Sequence, residues 1–184
     1  MIAVLIIILV VVAGVGLCAW YAAIVKRKNQ VSRALANIDA QLTLRHELVP
    51  KVLEVAKHHL ADEQDLIFNT AQFCAIGQER IGATAPRDLL EKFRAEIYLS
   101  LGLGRLFALS QNCPELKDET LIARARTACQ KVETNVAPAR RFYNTAVSNL
   151  RNACQHFPGR LLAQMAGLPG MPPFYQEPPD SRVQ

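Results

Sequence analysis

An uncharged apolar run at the N-terminus, Ile2–Val25, constrains this chain more than any other feature. At ~1.5 Å per residue it would form a helix of about 36 Å, enough to cross a hydrocarbon layer of about 30 Å. A cleaved signal peptide is the alternative, but no basic residue precedes the run, and Leu17 stands before Cys18 where a lipoprotein signal needs a small residue. We therefore predict that residues 1–25 are a transmembrane anchor.

The charges around this run predict its orientation. Basic residues crowd directly behind it, whereas only the terminal amine is charged before it. Because cytoplasmic flanks of membrane helices are enriched in Lys and Arg, the N-terminus should lie outside and the rest of the chain in the cytoplasm. The membrane-proximal basic residues, which suit an anionic lipid surface, are Lys26, Arg27, Lys28 and Arg33.

Small residues recur at every fourth position of the predicted anchor. Gly14, Cys18 and Ala22 fall on one face of the helix. Small side chains let two membrane helices approach closely, so this stripe favours side-by-side packing of anchors and hence a homo-oligomer.

Two long segments behind the anchor carry apolar residues at alternating spacings of three and four. Such spacing places these residues in one line along a helix, which we call a seam. The first seam runs from Val31 to His59 and contains Arg45, and the last runs from Ile122 to Phe157. Pro50 and Pro138 lie inside these segments, where we expect a kink and not an end. Both segments are therefore predicted to be long helices, the last one stopping at residues 157–159.

Two shorter segments between them are also predicted to be helices. One should begin near Ala61, and the other near Asp88 with a seam that includes Leu90, Phe93 and Leu101. Residues 112–117 are predicted to form the turn before the last helix, because Pro114 cannot continue the preceding one. Since no strand alternation appears, we predict an all-α fold, with an antiparallel four-helix bundle over residues 26–158.

The region 159–184 is predicted to be a short amphipathic piece followed by a Pro-rich tail. Five prolines after residue 168 favour an extended chain over a helix. Phe174 and Tyr175 are the only tail residues suited to anchor it to the rest of the molecule.

An antiparallel arrangement of the two long helices predicts which residues face each other. If Val31 lies level with Phe157, the numbers of facing residues add to 188 and the two internal prolines share one height. Polar residues then gather in one layer that would fix the alignment of the helices, a ligand or metal site being the alternative. The members of this predicted layer are Arg45, Glu47, Arg140, Arg141, Tyr143 and Asn144.

Charge and cysteine content exclude several functional classes. The formal net charge of +5 belongs to the part behind the anchor, but its basic residues are mixed with acids and form no nucleic-acid-binding motif. We predict no nucleic-acid partner. The five cysteines are odd in number, widely spaced and without a C-x-x-C pair, which argues against a disulfide framework and against a zinc site.

The chain also lacks a recognisable catalytic pattern. His59 and Glu63 are four residues apart, but this is only a partial metal-ligand set. Gly102 and Gly104 lack the third glycine and the preceding strand of a dinucleotide loop, and neither a nucleophile elbow nor a Walker loop occurs. We predict no metal, no cofactor and no enzymatic activity.

Several strings in this order and spacing resemble the bacterial LemA family. The resemblance implies a cytoplasmic four-helix domain on a single-pass anchor in the bacterial inner membrane, with no established catalysis. Its relatives are associated with membrane organisation and are often encoded beside a membrane zinc protease. The strings that carry the resemblance are residues 38–42 and 45–50, 114–117, 139–144 with Val147, and 157–158.

Two functions remain open at this point. The first is a homo-oligomeric membrane scaffold, in which anchors pack together and the domains assemble under the bilayer. The second is an adaptor or regulator of a membrane protease or chaperone that presents the tail or a bundle face to its partner.

Overall fold

The structure is a computed structural model that describes residues 1–113, 120–155, 158–168 and 170–176. The predicted turn around Pro114, the seam end at Phe157 and the tail beyond residue 176 lie outside these ranges. The described residues contain no strand, in agreement with the all-α prediction. Their helices are α1 (Ile2–His59), a 3-10 turn (Ala61–Glu63), α2 (Gln64–Glu79), α3 (Pro86–Asn112), α4 (Thr120–Gln155) and α5 (Gly159–Met165).

A single helix, α1, contains both the predicted anchor and the first long helix. It has 58 residues and continues through Pro50. Its N-terminal part has a mean hydropathy of 3.2 and is long and apolar enough to cross a membrane, and none of that stretch is buried against the protein. From Ile24 onward, α1 contributes to the interior of what we call the helical domain, residues 26 and beyond.

The predicted seams of the two long helices are buried. Every described member of the α4 seam is in the interior, and so is the α1 seam except His59. The α3 seam was predicted correctly only in part. Phe93 and Phe107 are buried, but Leu90 and Leu101 are both 38% exposed, and Leu89 and Leu99 are buried in their place. The buried face of α3 also carries charged residues, and these hid it from a search for apolar spacing.

The interior is divided into two apolar cores. The distal core lies far from the anchor and is built from α1, α2, α3 and α4, with Val49, Ile67, Leu106 and Ile122 among its members. The other core, which we call the membrane-side core because it lies next to the predicted anchor, combines α1, the start of α3, α4, α5 and the tail, with Ile24, Phe93, Leu150, Leu162 and Tyr175 among its members. The region 159–184 was predicted to lie outside the bundle domain, yet four of its described residues, Leu162, Ala163, Ala166 and Tyr175, help to form this second core.

The predicted register of α1 against α4 is wrong by about three helical turns. Asn135 donates to Gln41 at 3.1 Å and Arg27 donates to the Asn149 carbonyl at 3.1 Å, so facing residue numbers add to 176 and not to 188. The difference of twelve residues corresponds to about 18 Å along α4. The buried part of α1 begins at Ile24, before the predicted start at Val31. The end of α4 therefore lies closer to the predicted anchor than expected. Pro50 and Pro138 do not share a height.

Candidate functional site

Arg45 lies in the interior where α1 meets α3 and α4. It is 2% exposed, so protein groups must replace the water around its guanidinium. One terminal nitrogen donates to Glu133 Oε1 at 2.8 Å, and the other donates to the Glu96 carbonyl at 3.0 Å and to Ser100 Oγ at 2.7 Å. The Glu96 carboxylate lies 3.4 Å from this second nitrogen. These charge-assisted bonds tie α1 to both other helices.

His46, the next residue of α1, contacts the same carboxylate of Glu96 and also faces α2. Its Nε2 lies 2.6 Å from Glu96 Oε1, and its Nδ1 lies 3.5 Å from Cys74 Sγ. Burial lowers the pKa of His46, but the hydrogen bonds to Cys74 and Glu96 and the charge of Glu96 outweigh it and raise the pKa to about 9. At neutral pH the imidazole is therefore protonated, and Glu96 is held between two cations.

We call Arg45, His46, Glu96, Ser100 and Glu133 the polar layer. It separates the two apolar cores, since Leu42 of α1 belongs to the membrane-side core and Val49 to the distal core. An apolar core can shift by a turn at little loss of hydrophobic contact, but paired buried charges cannot. The polar layer therefore sets the relative height of α1, α3 and α4.

Glycine makes room for this layer. A Cβ on Gly77 would lie 2.6 Å from Glu96 Oε1 and 2.8 Å from His46 Cε1, both closer than real Cβ contacts. A Cβ on Gly102 would lie 2.5 Å from Thr70 Oγ1, so α2 and α3 also need a glycine where they meet. Gly104, two residues on, has nothing within 4 Å of its Cβ position.

A second buried charge pair lies closer to the anchor. Lys92 of α3 is fully buried and donates to Asp39 Oδ1 of α1, while the other Asp39 oxygen accepts the Gly82 amide at 3.0 Å. Gly82 has a φ of 79°, which only glycine adopts readily. This pair fixes the short α2–α3 connection against α1.

The residues of the predicted polar layer are divided between different places. Arg45 joins the observed layer, but it does not face Tyr143, because the register is different. Glu47 and Arg141 are exposed, and Arg140 lies over the Tyr175 ring at 5.6 Å. The prediction that these residues form one layer is therefore wrong: only Arg45 belongs to it.

Tyr143 and Asn144 hold the C-terminal tail. The Tyr143 hydroxyl donates to the Pro173 carbonyl at 2.9 Å, and the Asn144 amide pairs with both the N–H and the C=O of Tyr175 at 2.8 and 2.9 Å. The Tyr175 ring stacks on Phe93 with centroids 4.2 Å apart. Burial raises the pKa of both tyrosines, so both stay protonated at neutral pH. Tyr175 thus holds the described part of the tail against α3 and α4.

Phe174 makes a more exposed contact next to it. Its ring lies 4.4 Å from the Arg151 guanidinium, which also donates to the Pro172 carbonyl at 3.0 Å. The described part of the tail is therefore extended and docked on α4, with Tyr175 turned inward and Phe174 partly outward.

A groove of about 740 Å³ between α3 and α4 opens onto the polar layer. Arg45, Glu133 and Phe107 line it, together with Arg126, which donates to the Phe107 carbonyl at 2.6 Å. Of the three polar-layer members that line it, Arg45, Ser100 and Glu133, the last has a side chain that is about half exposed. A solvent molecule or a polar chain could reach Glu133 here, whereas His46 and Glu96 stay sealed.

The predicted anchor-packing residues are not buried against the helical domain. Cys18 and Ala22 are exposed, and nothing lies within 4 Å of the Gly14 Cβ position. Of the four basic residues behind the anchor, Arg27 binds the Asn149 carbonyl and Lys28 donates to the Ala166 carbonyl at 2.9 Å. Lys26 and Arg33 are exposed to solvent.

Among the described residues, no group of three or more His, Cys, Asp or Glu side chains lies close enough to hold a metal ion. In this same part of the chain the five cysteines are free thiols, and burial raises the pKa of Cys129 and Cys154. Within the polar layer, His46 and Glu96 are sealed from solvent, whereas Arg45, Ser100 and Glu133 line the groove.

Sequence reasoning missed most members of the polar layer. His46 follows a seam position directly, and Glu96 lies on the α3 face that was predicted to be outside. Gly77 was the usable signal, because a glycine on the buried face of a helix indicates a large neighbour, here the His46–Glu96 pair.

Comparison with curated proteins finds no matching relative. Comparison with family models gives a match to the LemA family over residues 34–184, which includes most of α1 behind the anchor and every later helix. On this match the chain belongs to the LemA family.

Proposed function

We propose that this protein is a membrane-anchored, non-catalytic helical scaffold that assembles into homo-oligomers. The anchor crosses a bacterial cytoplasmic membrane once, the N-terminus lies outside, and a four-helix bundle extends from the membrane into the cytoplasm. Its partners are the lipid bilayer and other copies of the same chain.

The observation that carries this proposal is the continuity of α1. The same helix supplies the apolar stretch and the central rod of the helical domain, with no linker between them. A continuous helix transmits the position of the anchor to the domain, whereas an enzyme tethered to a membrane needs only a flexible linker. Such a rod is suited to holding domains at fixed height and spacing.

The absence of catalysis is supported by how the titratable groups are used. His46 and Glu96 are fully enclosed and paired with each other, and the Glu133 carboxylate is bound by both Arg45 and Ser100. A general acid or base must reach a substrate, and His46 and Glu96 are closed off from solvent.

Self-association of the anchors is tested by mass photometry of the full-length protein extracted into nanodiscs. Gly14→Leu fills the small-residue stripe, and Gly16→Leu is the matched control, because its Cβ position is equally open but lies on another face. We expect oligomers from the wild type and from the control, and a shift toward monomers for Gly14→Leu. A wild-type protein that is monomeric at every concentration would overturn the scaffold proposal.

Orientation is tested in sealed vesicles with external protease. The helical domain should be cleaved in inverted vesicles and protected in right-side-out ones, because the basic cluster at Lys26–Lys28 favours the cytoplasmic side. The opposite pattern would contradict the proposed orientation.

The groove between α3 and α4 favours a second candidate, an adaptor for a membrane protease or chaperone. It is open to solvent and combines charged side chains with Phe107, as peptide-binding surfaces do. A photo-crosslinker at Gln130 in the groove should capture the protease, whereas one at Phe68, exposed on α2, should not. Equal capture at both positions would count against the groove.

A further inference from the structure

The short helix α5 lies beside the segment of α1 where the predicted anchor ends. Gly159, its first residue, packs so closely on Trp20 that a Cβ would lie 3.2 Å from the indole nitrogen. At its other end, the Ala166 carbonyl accepts a hydrogen bond from Lys28. α5 therefore spans the heights of Trp20 to Lys28, which is the level of the membrane interface if residues 1–25 cross the bilayer.

The outward face of α5 is partly apolar. Gly159, Leu162, Ala163 and Ala166 face the membrane-side core, whereas Leu161 and Met165, one turn apart, are 61% and 71% exposed. Two large apolar side chains exposed on one helix face at the membrane boundary match the geometry of an interfacial helix.

Charge is segregated along the same axis. No acidic residue occurs in residues 1–38 or 134–176, the two stretches that supply most of the membrane-side half. Their charged side chains are all basic: Lys26, Arg27, Lys28, Arg33, Arg140, Arg141, Arg151 and Arg160. These two stretches thus carry a formal charge of +8, whereas the whole chain carries +5, so the remainder is net acidic.

We propose that α5 is a second membrane contact, in which Leu161 and Met165 insert at the interface of an anionic bilayer while the exposed cations beside them, Lys26 and Arg160, bind its headgroups. This inference rests on the proposed anchoring of α1. It adds that the helical domain is seated on the lipid surface and does not stand free above it. Apolar insertion together with a basic surface is what binds a protein stably to anionic lipid.

Another copy of the chain is a poorer occupant for this face. Two such faces packed together would bring their basic residues close to each other, and like charges at an interface oppose association. Anionic lipid supplies the opposite charge and an apolar layer at the same height.

The test uses the single tryptophan of the chain. The full-length protein is placed in nanodiscs of anionic lipid in which bromine quenchers lie either near the headgroups or near the bilayer centre. The wild type reports Trp20. Trp20→Phe combined with Leu161→Trp, or with Met165→Trp, reports α5. Trp20→Phe combined with Phe68→Trp is the control, because Phe68 is as exposed as Met165 but lies on α2.

We expect headgroup-level bromine to remove about half of the emission at positions 161 and 165 and almost none at position 68. Quenching of α5 should weaken at least about twofold in neutral lipid. Quenching of Trp20 without quenching at 161 or 165 would overturn the membrane contact of α5 and leave the membrane anchor standing. An unquenched Trp20 would instead overturn the membrane anchor itself. Equal α5 quenching in neutral and anionic bilayers would overturn the role of the cations.

Discussion

The distal core is closed by four helices, whereas the membrane-side core is closed by a short helix and an extended tail. Both cores border on the polar layer, whose buried charges are paired across three helices. The membrane side is sealed by aromatic stacking, with Tyr175 between Phe93 and the surface of α4. Regular helix pairing thus closes the distal core, and a tail that folds back closes the membrane-side core. Different substitutions should therefore destabilise the two cores.

The largest effect is expected from Glu96→Ala. The substitution leaves Arg45 and His46 buried without their shared carboxylate, and breaking a buried charge cluster in this way typically costs about 3 to 5 kcal/mol. Chemical denaturation followed by far-UV circular dichroism gives the free energy of unfolding. Glu47→Ala, at an exposed position on α1, is the control and should change it by less than about 0.5 kcal/mol. Equal effects of the two would show that the polar layer is not a structural element.

The membrane-side core is tested by neighbouring aromatic residues of the tail. Tyr175 is 4% exposed, and replacing a buried aromatic residue by Ala typically costs about 3 kcal/mol or more. Phe174 is 41% exposed and contacts mainly Arg151, so Phe174→Ala should cost about 1 kcal/mol or less. The free energies of unfolding of the Tyr175→Ala and Phe174→Ala variants are measured and compared. A larger effect at Phe174 would mean that the tail is docked differently.

Folding stability should also fall at alkaline pH because of the polar layer. The pKa of His46 is about 9 in the folded protein and about 6.5 when unfolded, so its stabilising effect is complete below about pH 6.5 and disappears as the pH rises to about 9. The expected loss is about 3 kcal/mol. His46→Gln should flatten this part of the pH profile. A wild-type profile as flat as that of the variant would rule out a protonated His46.

A smaller effect of opposite sign at two glycines sharpens the comparison further. Gly77→Ala forces a methyl group against His46 and Glu96 and should destabilise the distal side by about 1 to 3 kcal/mol. Gly104→Ala has open space and should stabilise α3 by about 0.5 to 1 kcal/mol. Thermal unfolding of the two variants distinguishes them by the direction of the shift. If the unfolding temperatures of both variants shift in the same direction, helix propensity determines the effect of Gly77→Ala and the close contact does not.

The helices and seams of α1 and α4 could be predicted from the sequence because their buried residues are almost all apolar and regularly spaced. The α3 face could not, since Lys92 and Glu96 are buried there. The register failed because helical spacing fixes which face is buried but not its height. That height depends on how far α4 runs past Val31 and on α5, which folds back beside Trp20.

The candidate site was predictable only in part, for a related reason. A charge at a seam position identified Arg45 as buried, but its partners depend on the register. Tyr175 could be singled out as a tail anchor because it is one of few aromatic residues in a Pro-rich stretch. Its contacts with Phe93 and Asn144 bring together positions far apart in sequence, and periodicity carries no information about such pairs.

Hydrogen exchange of a truncated protein tests most directly whether the two cores depend on different pieces. The chain is ended after Leu168, which removes the docked tail, and is compared with the full-length protein in nanodiscs by mass spectrometry. Amide exchange should accelerate in α5, at the start of α3 near Phe93 and in α4 around Tyr143, because these regions lose Tyr175. Peptides covering Val49–Ala56 and Ile122–Cys129 should keep their protection. Equal acceleration in both cores, or no change in the membrane-side one, would contradict the division described here.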